Sequence, residues 1–149
     1  MLGFFIAMIS GALMSVQGVF NTDVTKSTSI WVSGAFVQIT AFLTCMVMWY
    51  VSGRPSFAGL WQVEHKYALL GGVIGAFITY TVVRSIAMLG TAPAILTIVI
   101  TQTTVAYIIE LFGMFGSEKT NFSWMKLLGL AIAIAGVVMF NMCGNQSNG

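Results

Sequence analysis

The chain has 149 residues, of which 58% are hydrophobic and only 7% are charged. A soluble domain carries about a quarter charged residues, so this chain lacks the polar surface that contact with water on all sides requires. The net charge of +2, without a basic patch, gives no reason to expect a nucleic-acid partner. The apolar residues form blocks of about twenty, which is the length that crosses a ~30 Å hydrocarbon core. We therefore predict an all-α integral membrane protein.

Five such blocks predict five transmembrane helices in a single transmembrane domain, residues 1–149. Cys45 falls inside a block and Cys143 follows the last one, so we expect two unpaired thiols and no disulfide, metal or cofactor. The predicted helices cover residues 2–24, 29–51, 67–89, 92–115 and 124–142, and residues 143–149 form a polar tail.

Helix one carries its polar residues on one side. Ser10, Gln17 and Asn21 share a face at 100° per residue, and Gly11 and Gly18 lie on a neighbouring small-residue face. Small residues let another helix approach closely, whereas amides at membrane depth need protein or a watered cavity. Gln17 and Asn21 are thus candidates for lining a cavity, and for Gln17 an interhelical hydrogen bond is an equal alternative.

Helices two and three contribute fewer polar residues. Gln38 lies near the midplane of helix two, where it lines a cavity or packs between helices. Gly71 and Gly75 have the GxxxG spacing of close helix crossings. Arg84 lies near enough to the end of helix three to reach the interface.

Helix four contains Glu110, a carboxylate that costs about 2.5–3.5 kcal/mol if it faces lipid at the helix centre. Gln102 and several threonines lie on other faces of this helix, so we expect protein or cavity to surround it for much of its length. The face of Glu110 itself carries Leu96, Val99, Thr103, Ala106 and Tyr107.

Helix five carries a stripe of small residues, Gly129, Ala133 and Gly136, that continues to Phe140. Such a stripe suits the close packing of two helices, within one chain or between two copies.

Several segments resemble one known family. Residues 116–140 are similar to the closing segment of drug/metabolite transporter repeats, in which a polar turn leads into a helix with regularly placed glycines. The chain is identified as a member of the YdcZ-type branch by the pair Gln17 and Asn21, by GGVIGA at 71–76, by LGTA at 89–92 and by ELFGMFG at 110–116.

The resemblance implies half of a two-repeat transporter, located as a multi-pass protein in the cell inner (plasma) membrane. It implies assembly from oppositely oriented copies, either as an antiparallel homodimer or with an inverted paralogue, around a small-molecule substrate. Family members often carry Asp where this chain has Glu110, which keeps the charge.

The distribution of charge agrees with weakly determined orientation. Five helices put four basic residues on one side and two on the other, which leans toward a cytoplasmic N-terminus. Counting ~1.5 Å per residue, Glu110 lies roughly 9 Å from the Lys119 side and Arg84 roughly 27 Å from it, so the two cannot pair within one subunit. An antiparallel dimer would bring the partner's Arg84 to the Glu110 end of the membrane, and an intersubunit pair of Arg84 and Glu110 is therefore a hypothesis beside the one in which Arg84 reaches the interface.

These patterns favour a secondary transporter, in which two copies enclose a cavity that opens alternately to each side. Glu110 carries a proton or balances a cationic substrate; alternatively, it reaches the interface or is neutralised by Lys119 or Lys126. A second hypothesis is a non-transporting assembly or regulatory subunit, and no catalytic spacing predicts an enzyme. The predicted cavity lining is Gln17, Asn21, Gln38, Gln102, Tyr107 and Glu110.

Overall fold

The computed structural model describes the backbone of residues 2–145 and the side chains of residues 2–142. This part of the chain consists of helices and loops, and five helices are long and apolar enough to cross a membrane. The predicted all-α membrane fold is confirmed. The helices are α1 (Leu2–Ser27), α2 (Ile30–Val51), α3 (Gly71–Leu89), α4 (Thr91–Phe112) and α5 (Trp124–Asn145), with short 3-10 helices at Phe57–Gln62, Lys66–Leu70 and Met114–Gly116.

The end of α4 differs from its predicted position, because the helix stops at Phe112 instead of residue 115. Gly113 adopts a left-handed conformation with φ of 63°, and its amide donates to the carbonyl of Glu110. A left-handed glycine commonly ends a helix, since it has no Cβ to clash. Glu110 consequently lies only two residues, roughly 3 Å along the axis, before the end of α4.

The end of α5 also differs. The helix continues to Asn145, so residues 143–145 of the predicted tail are helical and the remainder of the tail lies outside the described residues. Cys45 is a free, exposed thiol, and the prediction for Cys143 falls on a side chain outside the described part.

The chain divides into two compact units, Met1–Ala87 and Met88–Gly149. In the first unit, a two-residue connection makes α1 and α2 a helical hairpin. The Ser29 hydroxyl begins α2 by accepting a hydrogen bond from the Val32 amide at 3.2 Å. The buried Ser33 hydroxyl donates to the backbone carbonyl of Asn21 at 3.0 Å and so ties the two helices together.

Helix α3 packs against both helices of this hairpin. Its Tyr80 ring stacks on Trp31 of α2 with centroids 5.0 Å apart. On α1, a Cβ placed at Gly18 would lie only 2.8 Å from the terminal methyl group of Ile86. The absence of a side chain at Gly18 therefore permits the approach of α3 to α1.

The second unit consists chiefly of α4, α5 and their connection. The Thr120 amide donates to the carbonyl of Glu110 at 3.0 Å, and the Ser123 amide donates to the hydroxyl of Tyr107 at 3.1 Å. Both bonds hold the connection against the last turns of α4, which sets where α5 begins.

The threonines of α4 correct one sequence-based expectation. Four of them donate the hydroxyl to the backbone carbonyl four residues earlier, so the helix itself supplies their hydrogen-bond partner. These four hydroxyls therefore need no surrounding cavity, whereas for the exposed amide of Gln102 the expectation stays a prediction. The bonds are 2.8 Å for Thr97, 2.9 Å for Thr101, 2.8 Å for Thr103 and 2.8 Å for Thr104.

Most large apolar side chains point away from the protein. Phe36 of α2 is 61% exposed and Ile132 of α5 is 64% exposed. Water would penalise such a surface, whereas hydrocarbon does not. The surface is that of a protein whose solvent is lipid.

We predict that Gly18→Leu destabilises the first unit by about 1–3 kcal/mol, because the added side chain overlaps Ile86. Gly11→Leu is the matched control, since a Cβ at Gly11 in the same helix has open space. The measurement is the thermal denaturation midpoint of purified protein in detergent, and equal losses at both positions would contradict the proposed constraint.

Candidate functional site

A groove of about 750 Å³ runs between α4 and α5 within the second unit. Its walls are mainly aliphatic, and its charged groups come from the last turn of α4 and the first turn of α5. The side chains and glycines that line it are Leu96, Val99, Ile100, Thr103, Ala106, Tyr107 and Glu110 from α4, and Lys126, Gly129, Leu130, Ala133, Gly136, Val137 and Phe140 from α5.

The two helix faces that line this groove are those that the sequence analysis singled out. The face of α4 that carries Glu110 forms one wall, and the small-residue stripe of α5 forms the other. A Cβ at Gly129 or Gly136 would have no neighbour within 4 Å. These glycines therefore widen the groove and make no close helix crossing within the described part of the chain.

The other glycines predicted to pack helices divide into two groups. Gly18 meets Ile86, and Gly75 lies near Gln38, whose amide nitrogen is 3.9 Å from a Cβ placed there. Gly11 and Gly71 have open space around them in the described residues. Contacts of Gly11, Gly71, Gly129 and Gly136 with a second copy remain a prediction.

Glu110 forms an ion pair with Lys126 of its own chain, with 3.5 Å between carboxylate oxygen and ammonium nitrogen. Lys126 is thus the neutralising group, which was one of the alternatives that the sequence left open. The side chains are 47% and 51% exposed, and in water such a pair contributes only about 0–1 kcal/mol. The pair lies at one end of the groove.

Both members of this pair stand at unfavourable helix ends. Glu110 lies in the last turn of α4, where the helix dipole is negative, and Lys126 lies in the first turn of α5, where it is positive. Each placement costs about 0.3–1 kcal/mol at an exposed site. Helix stability therefore does not explain these two charges, and conflicts of this kind are expected at functional sites.

Tyr107 positions the pair. Its hydroxyl accepts from the Ser123 amide at 3.1 Å and donates to the Ser123 carbonyl at 3.4 Å, which fixes the start of α5. The Lys126 ammonium lies 5.6 Å from the centroid of the Tyr107 ring, within the range of a cation–π interaction. Tyr107 thus holds both the backbone before Lys126 and the ammonium itself.

The predicted polar residues of the first unit line other grooves. Gln17 and Asn21 border a space of about 540 Å³ between α1 and α2, together with Thr40 and Thr44. Gln38 lines a smaller space of about 230 Å³ between α2 and α3. Within this unit the three amides therefore do not share one cavity.

Two further predicted residues line none of these three grooves. Gln102 is exposed on α4 and does not line the α4–α5 groove. Arg84 is exposed on α3 and forms no ion pair among residues 2–142. The intersubunit pair of Arg84 with Glu110 stays a prediction, and it has to compete with Lys126.

Ser123 is the site residue that sequence reasoning missed. It contacts Tyr107 through backbone atoms, which carry no sequence signature. The one available signal was its position directly before Trp124, where a serine commonly precedes a helix.

Five membrane-length helices define a multi-pass membrane protein, and the groove between α4 and α5 carries one acidic and one basic group. A family model described as "Putative inner membrane exporter, YdcZ" matches residues 2–139. The chain belongs to this YdcZ family, and it is a multi-pass inner membrane protein. No curated protein and no solved structure matches it.

We predict that exchanging the two charges preserves the fold. Glu110→Lys alone puts two ammonium groups together, and Lys126→Glu alone puts two carboxylates together, so each should lower the denaturation midpoint. The double variant should restore it to at least the wild-type value, because each charge then also suits its helix end. The measurement is thermal denaturation in detergent.

The intersubunit alternative provides the control. If Glu110→Arg is rescued by Arg84→Glu and not by Lys126→Glu, the partner that matters for assembly lies in another copy. Single variants as stable as wild type would show that neither pair contributes.

Proposed function

We propose that this protein is a secondary active exporter of a small amphipathic metabolite and that the α4–α5 groove is its binding site. The observation that carries the proposal is an apolar groove of about 750 Å³ with a carboxylate at its end. Small-molecule sites commonly measure about 300–1,000 Å³ and combine apolar walls with a few polar groups. The family description of an inner membrane exporter supports the same function.

We further propose that the working unit is an antiparallel homodimer, or a pair with an inverted paralogue, that exposes the groove alternately to each side. The open space at Gly11 and Gly71, which lie outside the α4–α5 groove, supports the close approach of a helix from a second copy. The near balance of basic residues supports insertion in both orientations. These basic residues are Arg54, Lys66, Lys119 and Lys126 on one side, and Lys26 and Arg84 on the other.

Glu110 is the proposed coupling group. When the carboxylate is ionised it pairs with Lys126, and when it takes up a proton the pair loses its attraction and opens. Proton binding and access to the end of the groove are thereby linked. Gln17, Asn21, Gln38 and Gln102 are proposed to contribute polar lining only in the assembled dimer.

We predict that Glu110→Gln abolishes proton movement driven by an amphipathic substrate while the protein still assembles. The measurement is the internal pH of proteoliposomes, reported by an enclosed dye, after addition of octylammonium or 2-aminooctanoate. Glu118→Gln is the matched control, because it makes the same chemical change in the exposed loop between α4 and α5. Unchanged proton movement in Glu110→Gln would contradict coupling through this residue.

We predict that the chain inserts in both orientations. Two C-terminal reporter fusions, one active only in the cytoplasm and one only outside it, should both give signal. Signal from one fusion alone would rule out the homodimer and require an inverted partner.

The alternative function is a non-transporting assembly subunit whose open stripe on α5 binds helices of another protein. Its specific support is the open space at Gly129 and Gly136. Proteoliposomes that move no solute under any gradient, together with copurification of one partner protein, would favour it.

A further inference from the structure

We infer that the α4–α5 groove selects a zwitterionic single-chain amphiphile, with an ammonium and an acidic group at one end of an apolar tail. This inference rests on the proposed function and specifies its substrate class. The two ligand charges would each pair with one member of the Glu110 and Lys126 ion pair.

The first argument is the charge balance of the groove. Its lining includes one carboxylate and one ammonium, so the site is neutral before a ligand enters. A cation that pairs with Glu110 leaves the Lys126 ammonium without its partner, and an anion that pairs with Lys126 leaves the carboxylate without its partner. A zwitterion inserts into the ion pair and leaves both groups paired.

The second argument is the position of the two charges on their helices. Each opposes the dipole of its own helix, so each gains from an opposite charge close by. The resident pair at 3.5 Å joins two half-exposed side chains that can separate without unfolding either helix. A ligand with both charges can therefore replace the resident pair with two new ones.

Tyr107 adds a reason for an ammonium in the ligand. Its ring already faces a cation, the Lys126 ammonium at 5.6 Å from the ring centroid. A ligand ammonium that takes the place of the Lys126 ammonium beside Glu110 would gain the same attraction to this ring.

The shape of the groove specifies the tail. From Glu110 to Leu96 the lining extends about 20 Å along α4 at ~1.5 Å per residue, and it is mainly aliphatic. Transfer of an alkyl tail from water to these apolar walls contributes about 0.8 kcal/mol of binding free energy for each buried CH₂ group. The volume of about 750 Å³ lies in the range of small-molecule sites, so we assign the groove to a free single-chain ligand.

The test compares three probes with the same eight-carbon chain: 2-aminooctanoate with both charges, octylammonium with only the positive one and octanoate with only the negative one. Binding to wild-type protein is measured at equilibrium, in nanodiscs of phosphatidylglycerol, by competition against radiolabelled 2-aminooctanoate. We expect 2-aminooctanoate to bind at least ~10-fold more tightly than either singly charged probe, the effect of about 1.4 kcal/mol. Tighter binding of octylammonium would overturn the inference and favour a cation site.

Variants of Glu110 and Lys126 test whether these two residues cause the preference for the zwitterionic probe. Lys126→Gln should lose the preference and gain affinity for octylammonium, and Glu110→Gln should lose it and gain affinity for octanoate. The exchanged pair, Glu110→Lys with Lys126→Glu, should keep the zwitterion preference because the ligand head group can rotate. The control Glu118→Gln should behave as wild type, and the same preference in all variants would place the binding elsewhere and overturn the inference.

A lipid is the competing occupant. Phosphatidylethanolamine also carries an ammonium and an acidic group, so the binding measurement is repeated in nanodiscs that contain it. Unchanged 2-aminooctanoate binding supports a free ligand, whereas abolished binding assigns the groove to the lipid and overturns the inference.

This test can be separated from the test of export. Equilibrium binding does not require transport, so a zwitterion preference without solute movement would refute the exporter and retain the ligand class. Solute movement without any zwitterion preference would retain the exporter and refute the ligand class.

Discussion

Hydrocarbon offers no hydrogen-bond partners, and this constraint governs the structure. Every backbone group inside the membrane has to be paired within its own segment, which is why the long apolar blocks are helices. The same constraint explains four threonines of α4, whose hydroxyls donate to carbonyls four residues back. It also explains why large apolar side chains lie on the outside, where lipid replaces water. Charged groups are tolerated only near helix ends or in pairs.

The charged pair of the second unit lies beside the connection between α4 and α5. Gly113 ends α4 early, which brings Glu110 to the last turn. Tyr107 holds the backbone at Ser123, so that Lys126 in the first turn of α5 lies beside the carboxylate. The resulting ion pair conflicts with both helix dipoles, although a reversed arrangement would satisfy them. At this end of the groove, the two charges do not maximise the stability of their helices. Functional sites commonly contain such residues.

Helical periodicity identified the two helix faces that line the groove, although it assigned the stripe on α5 to helix packing and not to a cavity wall. Thr103 and Tyr107 share the face of Glu110 because residues three, four and seven apart lie on one side of a helix, and Gly129 and Gly136 align for the same reason. The partner of Glu110 could not be chosen in this way. Lys119 and Lys126 are both close in sequence, and the choice depends on the path of an irregular loop. Periodicity also does not show that threonine hydroxyls of α4 are hydrogen-bonded to carbonyls of their own helix, so it indicated a more polar helix than the structure has.

The sequence by itself determined that this chain is a membrane protein of five helices, that it resembles the YdcZ family, and which helix faces carry polar or small residues. Composition and the length of the apolar blocks are enough to identify the helices. A bilayer has a nearly fixed thickness, and in hydrocarbon these blocks pair their backbone groups by forming helices. Only the tertiary structure decided that Gln17 and Gln38 lie in different grooves and that Glu110 pairs with Lys126. The separation of the two glutamines depends on how α1 and α3 pack on different sides of α2. The ion pair depends on the left-handed Gly113 and on backbone hydrogen bonds in the α4–α5 loop, which bring together groups that no periodic pattern relates.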